Sequence, residues 1–192
     1  MAQRGPQLAV TVVTAPRAGA AVTAKRLLSD GKTRELLLSG FTAVMHFRLE
    51  LWRVGGLFDN LDTAAAWDVL VRYDAYSKTY QIARRSPRAT EVSANIATAD
   101  SAESALELPV PVPLAPLKSG AAYYYFVTVD VETLSVSDLD ELQRWLRGDL
   151  QPAVRGKTDP VSALRRGIGT LLSRMLGGER RHYEARSVTF RG

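Results

Sequence analysis

The sequence predicts an α+β protein that is mainly β: an antiparallel β-sandwich of six or seven strands, with two helices inserted before the last strand. Several segments alternate apolar and polar residues, and turn-forming residues join most of them as hairpins. The strand–helix–strand order typical of a parallel sheet is missing. A chain of 192 residues with 46% hydrophobic content supports one core, so we expect a single domain over 1–192, with an ordered sandwich over about 8–190 and a flexible N-terminus at 1–6.

The fold is organised around a long predicted strand from Phe41 to Val54. Successive side chains of a strand point to opposite faces, so one face of this strand is dry and the other is mixed. The sequence offers no partner for His46 on the mixed face, and a structural role is expected for it. The dry face consists of Phe41, Ala43, Met45, Phe47, Leu49 and Leu51.

Three elements precede this strand. Leu8 to Thr14 is rich in β-branched residues and predicts a first strand, and Ala21 to Ala24 predicts a short extended piece. Thr33 to Ser39 contains good helix formers followed by Gly40, which indicates one or two helical turns.

The central strand is followed by a predicted antiparallel hairpin. Ala66 to Asp74 and Thr79 to Arg85 alternate regularly around a tight turn at 75–78. Another strand is expected over Thr90 to Ile96. A short helix is predicted from Ser101 to Glu107, with Asp100 as its N-cap.

A stretch with four prolines, Leu108 to Pro116, separates these elements from the second long strand. Proline cannot sit in a helix interior or in a central strand. The stretch is either a ligand for an aromatic groove or a crossover along a sheet edge, and the second interpretation is favoured. Ala122 to Thr133 then alternates as a long strand.

Two helices are predicted in the last third of the chain. One begins at residues 135–138 and is stopped by Gly148; the other begins at Asp159-Pro160 and runs to about Leu176. A last strand is expected over Tyr183 to Arg191.

The chain has a tyrosine-led strand and an acidic-capped helix with a tryptophan. Together with these, three groups of residues follow the order seen in one known family. They are Arg48-Leu49-Glu50-Leu51-Trp52-Arg53 in the central strand, Val71, Tyr73, Asp74, Tyr80 and Ile82 in the hairpin, and Arg186, Ser187 and Phe190 at the end. Over about Leu8 to Phe190 the chain resembles the domain of unknown function 4390 family of Gram-negative bacteria. The chain departs from the short form of that family at the Pro-rich stretch and at the Trp145 helix, which are elaborated here, so no partner is carried over from the family. The resemblance implies an exported, periplasm-facing, β-rich domain with no assigned chemistry.

The compartment follows mainly from the resemblance. The chain has no cysteine, which excludes disulfides and thiolate chemistry and leaves the redox environment open. Its first residues have no apolar core, so they are either a native cytosolic start or a mature terminus with a start methionine in front of it. The resemblance favours the second, and we therefore expect a periplasmic or extracytoplasmic protein whose signal peptide is absent from this chain.

The sequence gives little support for an enzyme. Its two histidines, His46 and His182, stand near no activated-serine motif, no spacing indicates a metal site, and no glycine-rich loop indicates a nucleotide or another cofactor. The densest acidic cluster consists of Asp130, Glu132, Asp138, Asp140 and Glu141. Three of its members, Asp130, Glu132 and Asp138, could serve an envelope glycan hydrolase, because paired carboxylates cleave glycosidic bonds. Calcium binding is a further possibility, although no EF-hand spacing is present. The simpler interpretation of Asp138, Asp140 and Glu141 is favourable charge in the first turn of a helix.

The most uneven feature of the sequence is the distribution of its charged residues. Residues 155–191 contain nine basic and three acidic side chains, a balance of +6 against +5 for the whole chain. This region could meet an anionic membrane or a protein partner, could meet nucleic acid, or could be a solvated face beside a packed helix. We expect no nucleic-acid partner, because an exported protein rarely meets one. The favoured function is a non-catalytic binding or scaffolding domain that docks on a membrane protein or membrane surface, with the candidate contact residues Arg165, Arg166, Arg174, Arg180 and Arg181.

Overall fold

The structure is a computed structural model that describes residues 5–14, 19–86, 89–134 and 180–192. Within these ranges the protein is mainly β, with ten strands and two short helices. The strands are β1 (Gln7–Val13), β2 (Gly19–Lys25), β3 (Thr42–Arg53), β4 (Asn60–Asp74), β5 (Thr79–Arg85), β6 (Thr90–Ile96), β7 (Val110–Val112), β8 (Ala122–Leu134), β9 (Arg181–Arg186) and β10 (Phe190–Arg191), and the helices are α1 (Gly31–Leu38) and α2 (Ala99–Leu106).

Seven strands form a large antiparallel sheet that is curled into a half-barrel. Its order is β10-β8-β3-β4-β5-β6, and β9 pairs with β8 next to β10. The central strand β3 pairs along its whole length with β4 on one side and with β8 on the other. Its predicted position at the centre of the fold is therefore confirmed.

A second, smaller antiparallel sheet has the order β1-β2-β7. The extended piece predicted at Ala21 to Ala24 is a full strand of seven residues, which pairs with β1 from end to end. Within the Pro-rich stretch, Val110–Val112 forms the short edge strand β7. The prediction of an extended crossover at a sheet edge is confirmed, since an edge position leaves room for prolines that cannot donate to a ladder.

One apolar core joins the two sheets. The alternation predicted for β3 is confirmed, because Met45, Leu49 and Leu51 on its inner face are fully buried. Each large apolar side chain buried in this way contributes about 1.5–3 kcal/mol to stability. Across the β3–β4 pair, the rings of Phe47 and Trp67 stack with centroids 5.0 Å apart. The small sheet adds Val10, Ala20 and Val22 to the same core, and the helices add Leu37, Ala102 and Leu106.

Three sequence-based boundaries are wrong. First, β4 begins at Asn60 rather than Ala66, because pairing with β3 extends it through alanines of low β-propensity. Second, the last strand is two strands, β9 and β10, separated at Ser187, whose side-chain oxygen accepts from the backbone N–H of Tyr125. Third, the N-cap of α2 is Thr98 rather than Asp100, because the Thr98 hydroxyl accepts from the backbone N–H of Ser101.

Several predictions concern residues 1–4 and 135–179, which lie outside the described residues. They include the two helices expected before the last strand and the acidic residues Asp138, Asp140 and Glu141. They also include the candidate contact residues Arg165, Arg166 and Arg174.

Candidate functional site

Both histidines of the chain lie in one polar row across the large sheet, on the face that points away from the core. The strand registers place His182 opposite Asp130, Asp130 opposite His46, and His46 opposite Asp68. His46 Nδ1 lies 2.7 Å from Asp68 Oδ1, and His182 Nδ1 lies 2.8 Å from Asp130 Oδ1. The expectation that His46 has no partner is wrong, because hairpin pairing brings Asp68 to it from 22 positions along the chain.

The environment of His46 favours its protonated form. Burial by itself would lower the pKa of His46, but the hydrogen bond with Asp68 and the negative charges of Asp68, Glu132 and Asp130 raise it above the usual 6.5. His46 therefore keeps its proton to a higher pH than a free histidine does and, when protonated, forms an ion pair with Asp68 on a half-buried surface. This contact gives the β3–β4 pairing a sensitivity to pH that the sequence does not indicate, and the structural role expected for His46 stays a prediction.

Arg180 contacts two of the three carboxylates that the hydrolase interpretation would use. Its Nη2 lies 2.9 Å from Asp130 Oδ2, and its Nε lies 3.2 Å from Glu132 Oε1. Burial would raise the pKa of Asp130, but the hydrogen bonds from Arg180 and His182 and their charges lower it overall. A glycosidase needs one carboxylic acid with a raised pKa as proton donor, and the shift of Asp130 is in the opposite direction.

Arg181 is also engaged within the protein. Its Nη2 donates to Thr33 Oγ1 at 2.8 Å, and its Nη1 lies 3.5 Å from Asp30 Oδ2, the N-cap of α1. Two of the five predicted contact arginines are therefore engaged within the described residues: Arg180 binds Asp130 of β8, and Arg181 binds Thr33 of α1 and its N-cap Asp30. Their availability to a partner is limited to the exposed part of each guanidinium.

The opposite end of the large sheet exposes a set of large apolar side chains, which we call the apolar end. At this end β3 leads into β4 through residues 54–59, which we call the tip loop, and β8 begins. Leu57 and Phe58 at the centre of the tip loop are 93% and 84% exposed. The apolar end comprises Val54, Leu57, Phe58, Leu61, Leu117 and Val188.

The tip loop is held by hydrogen bonds at its base. The backbone N–H of Val54 donates to the carbonyl of Ala122 at 2.9 Å. The Asp59 carboxylate accepts from the backbone N–H of Gly55 at 3.1 Å and from the Tyr124 hydroxyl at 2.9 Å. These two hydrogen bonds lower the pKa of Asp59. Because both arms of the loop are fixed, Leu57 and Phe58 point outward instead of folding back on the sheet.

The other two segments of the apolar end are the β7–β8 connection, which carries Leu117, and the β9–β10 connection, which carries Val188; both lie beside the start of β8. The backbone N–H of Lys118 donates to the Tyr123 hydroxyl at 3.0 Å, and this hydroxyl donates to Asp62 at 3.1 Å. The backbone N–H of Gly192 donates to the carbonyl of Ala121 at 3.0 Å, and that of Gly120 donates to the carbonyl of Gly192 at 2.7 Å. The connections that carry Leu117 and Val188 are therefore packed next to the base of the tip loop.

Arginines flank the apolar end. The Arg186 guanidinium lies 3.5 Å above the centre of the Tyr124 ring, and Arg191 pairs with Ala122 at the start of β8. Arg53 lies at the end of β3, where its Nη2 is 3.4 Å from Asp62 Oδ1. Arg186 and Arg191 belong to the basic region that the sequence singles out, whereas the exposure of Leu57 and Phe58 was missed. Two large apolar residues between the turn formers Gly55-Gly56 and Asp59-Asn60 are the signal that could have revealed it.

A cavity between the two sheets is too small for a substrate. Apolar side chains from both sheets and from α2 line it together with Arg84, and its volume is about 10 Å³, close to the roughly 10–15 Å³ that one water molecule requires. Among the described residues, no group of three or more His, Asp or Glu side chains is arranged to hold a metal ion. The apolar end is therefore the feature of the described residues that most clearly indicates an interaction.

Neither helix in the described part of the chain is long and apolar enough to cross a membrane. No family model, no curated protein and no solved structure matches this chain. The resemblance to the domain of unknown function 4390 family therefore stays a prediction.

Proposed function

We propose that this chain is a non-catalytic binding or scaffolding module of the bacterial cell envelope, similar to the domain of unknown function 4390 family. It acts outside the cytoplasm by docking on a membrane protein or on an anionic membrane surface through its basic C-terminal region. The proposal includes a sandwich of the two sheets, with two helices preceding the last strands.

The observation that carries this proposal is the apolar end flanked by arginines. Monomeric proteins rarely leave contiguous large apolar side chains exposed unless another surface covers them. Leu57 and Phe58 are almost fully exposed, although they are adjacent in a loop that is fixed at its base. Arg186 and Arg191 from the basic region stand beside this end, so positive charge and exposed apolar surface coincide.

The hydrolase alternative, which would use Asp130, Glu132 and Asp138, receives no support from the described carboxylates. Arg180 is shared between Asp130 and Glu132, and the pKa of Asp130 is lowered. The lowered pKa favours the charged form of Asp130, whereas a general acid must hold a proton near neutral pH. Binding is therefore the better-supported function.

A pull-down from solubilised bacterial membranes with the tagged chain tests the proposal. We expect recovery of a specific membrane protein or of anionic lipid, and loss of that recovery when Arg165, Arg166 and Arg174 are all changed to Glu. The matched control changes the exposed residues Lys25, Lys78 and Arg85 to Glu, which alters the net charge equally. Recovery of neither protein nor lipid, together with no binding to anionic vesicles at low salt, would contradict the function.

A further inference from the structure

We infer that the apolar end inserts Leu57 and Phe58 into an anionic lipid bilayer. The inference rests on the proposed function, because it names one partner class, lipid, and one contact surface for the same docking role. This surface lies at the end of the large sheet opposite Arg180 and Arg181, where β8 begins rather than ends.

The shape of the apolar end favours lipid over a protein groove. Leu57 and Phe58 lie at the extremity of a hairpin loop, and Val54 and Leu61 are partly exposed behind them on its two arms. A protruding pair of large apolar side chains can enter the acyl region of a bilayer while its polar base stays at the headgroups. Leu117 and Val188 on the neighbouring connections add apolar surface at the same end.

The tip loop already has a conformation in which Leu57 and Phe58 are exposed for contact with a bilayer. A Cβ on Gly55 would overlap the carbonyl oxygen of Phe58, so glycine at this position permits the tight approach of the two arms. The Asp59 carboxylate joins the two arms of the loop by accepting from the backbone N–H of Gly55, and it fixes the loop to β8 by accepting from the Tyr124 hydroxyl. Insertion therefore requires little ordering of the loop, which is the main entropic cost of binding by a mobile segment.

The charges around the apolar end complement anionic headgroups. Arg53, Arg186, Arg191 and Lys118 lie on the elements that converge there. Two carboxylates lie at the same end: Asp59 accepts from the uncharged Tyr124 hydroxyl, and Asp62 accepts from Tyr123 and pairs with Arg53. The four cations against these two carboxylates leave a balance of 4 − 2 = +2 at this end. On the neighbouring outer face, Glu50 pairs with Arg48 and accepts from Trp52. Cations beside an apolar tip strengthen attachment to anionic lipid, and salt weakens that attachment.

Site-specific fluorescence on the full chain tests the inference. Because the chain has no cysteine, Phe58→Cys provides a single attachment point for an environment-sensitive nitrobenzoxadiazole label. Tyr76→Cys is the matched control, since Tyr76 is 98% exposed in the β4–β5 turn at the opposite end of the sheet. With vesicles containing phosphatidylglycerol we expect a blue shift at position 58 and none at position 76. Vesicles of phosphatidylcholine alone should give a smaller response.

Vesicle co-sedimentation gives the second readout. We expect Leu57→Ser with Phe58→Ser to weaken binding by roughly tenfold or more, because two large apolar side chains lose their transfer into lipid. Tyr76→Ser with Val92→Ser removes exposed apolar surface elsewhere and should bind like the unaltered chain. Thermal melting of both double variants should match that of the unaltered chain, since all four side chains are exposed.

The outcomes separate this inference from the proposed function. Vesicle binding without a blue shift of the label at position 58 would overturn the inference. The proposed docking function would stand, but through another surface of the protein. Capture of a membrane protein that is lost in the Leu57→Ser/Phe58→Ser variant, without vesicle binding, would make the apolar end a protein contact and would also overturn it. If the chain captures no membrane protein and also binds no vesicles, both the inference and the proposed function are overturned.

Discussion

His46 on β3 and Asp68 on β4 face each other across the central hairpin, with Nδ1 and Oδ1 2.7 Å apart. The pair lies in a row that continues through Asp130 to His182, so histidines and carboxylates alternate across four neighbouring strands of the large sheet. Opposite charges directly across strands stabilise a sheet by fractions of a kcal/mol for each pair. The row therefore supports the pairing of β3, β4, β8 and β9 and makes it dependent on protonation.

The first prediction concerns pH. The pKa of His46 is raised in the folded protein above 6.5, so its contribution to stability is complete below about pH 6.5 and is lost as pH rises through the folded value. The pKa of Asp130 is lowered below 3.8, so its contribution is present above about pH 3.8 and is lost on acidification through its folded value. Between these limits both groups contribute.

Thermal melting between pH 5 and pH 8 checks this prediction. The unaltered chain should lose more stability above about pH 6.5 than His46→Gln does, because only the former releases the proton. Asp68→Asn should reduce the same pH dependence, since it removes the hydrogen bond and the charge that raise the pKa of His46. Parallel pH profiles for all three chains would contradict the assignment to His46.

A second prediction concerns the buried hydroxyl of Tyr125. It donates to the carbonyl of Leu114 at 2.6 Å, and burial raises the pKa of Tyr125 to about 12. Tyr125→Phe should keep the stacking on Phe190, with centroids 5.1 Å apart. It should nevertheless lower the free energy of unfolding by about 1–3 kcal/mol, because a buried carbonyl loses its donor. Urea denaturation measures the change, and the exposed Tyr76→Phe should change stability by no more than about 0.5 kcal/mol.

A third prediction separates two adjacent glycines. A Cβ at Gly55 would overlap the Phe58 carbonyl, whereas a Cβ at Gly56 would meet nothing within 4 Å. Gly55→Ala should therefore cost about 1–3 kcal/mol of stability, as overpacking against backbone does. It should also weaken vesicle binding by displacing Leu57 and Phe58. Gly56→Ala should match the unaltered chain in melting and in binding, and equal effects of the two substitutions would show that the loop is not held as described.

The fourth prediction tests the cap of α2. The Thr98 hydroxyl accepts from the backbone N–H of Ser101, whereas Asp100 lies in the first turn and pairs with Arg34 at 2.8 Å on an exposed surface. Thr98→Ala should cost about 1 kcal/mol, as the loss of an N-cap does. Asp100→Ala should cost less, because exposed ion pairs contribute little. Denaturation of the two variants decides between Thr98 and the sequence-predicted Asp100.

The alternation of apolar residues was enough to predict the inner face of β3 and the β4–β5 hairpin, and helix-forming and capping residues were enough to predict both short helices. Such patterns report local geometry, because side chains repeat every two residues in a strand and about every 3.6 in a helix. They do not report which strand lies beside which. The separation of β1, β2 and β7 into a small sheet, and the division of the last strand at Ser187, depend on pairing with distant segments.

Residue patterns alone are sufficient to predict a mainly β protein, a central strand at Phe41 to Val54, and a concentration of positive charge near the C-terminus. Long-range strand pairing is what gives His46 its partner, brings Arg180 to Asp130 and Arg181 to Thr33, and places Arg186 over the ring of Tyr124. The tertiary structure also leaves Leu57 and Phe58 exposed, although their hydrophobicity alone predicts burial. Composition and periodicity indicate whether a side chain favours burial or exposure. Strand register and loop closure determine which neighbouring side chains it contacts.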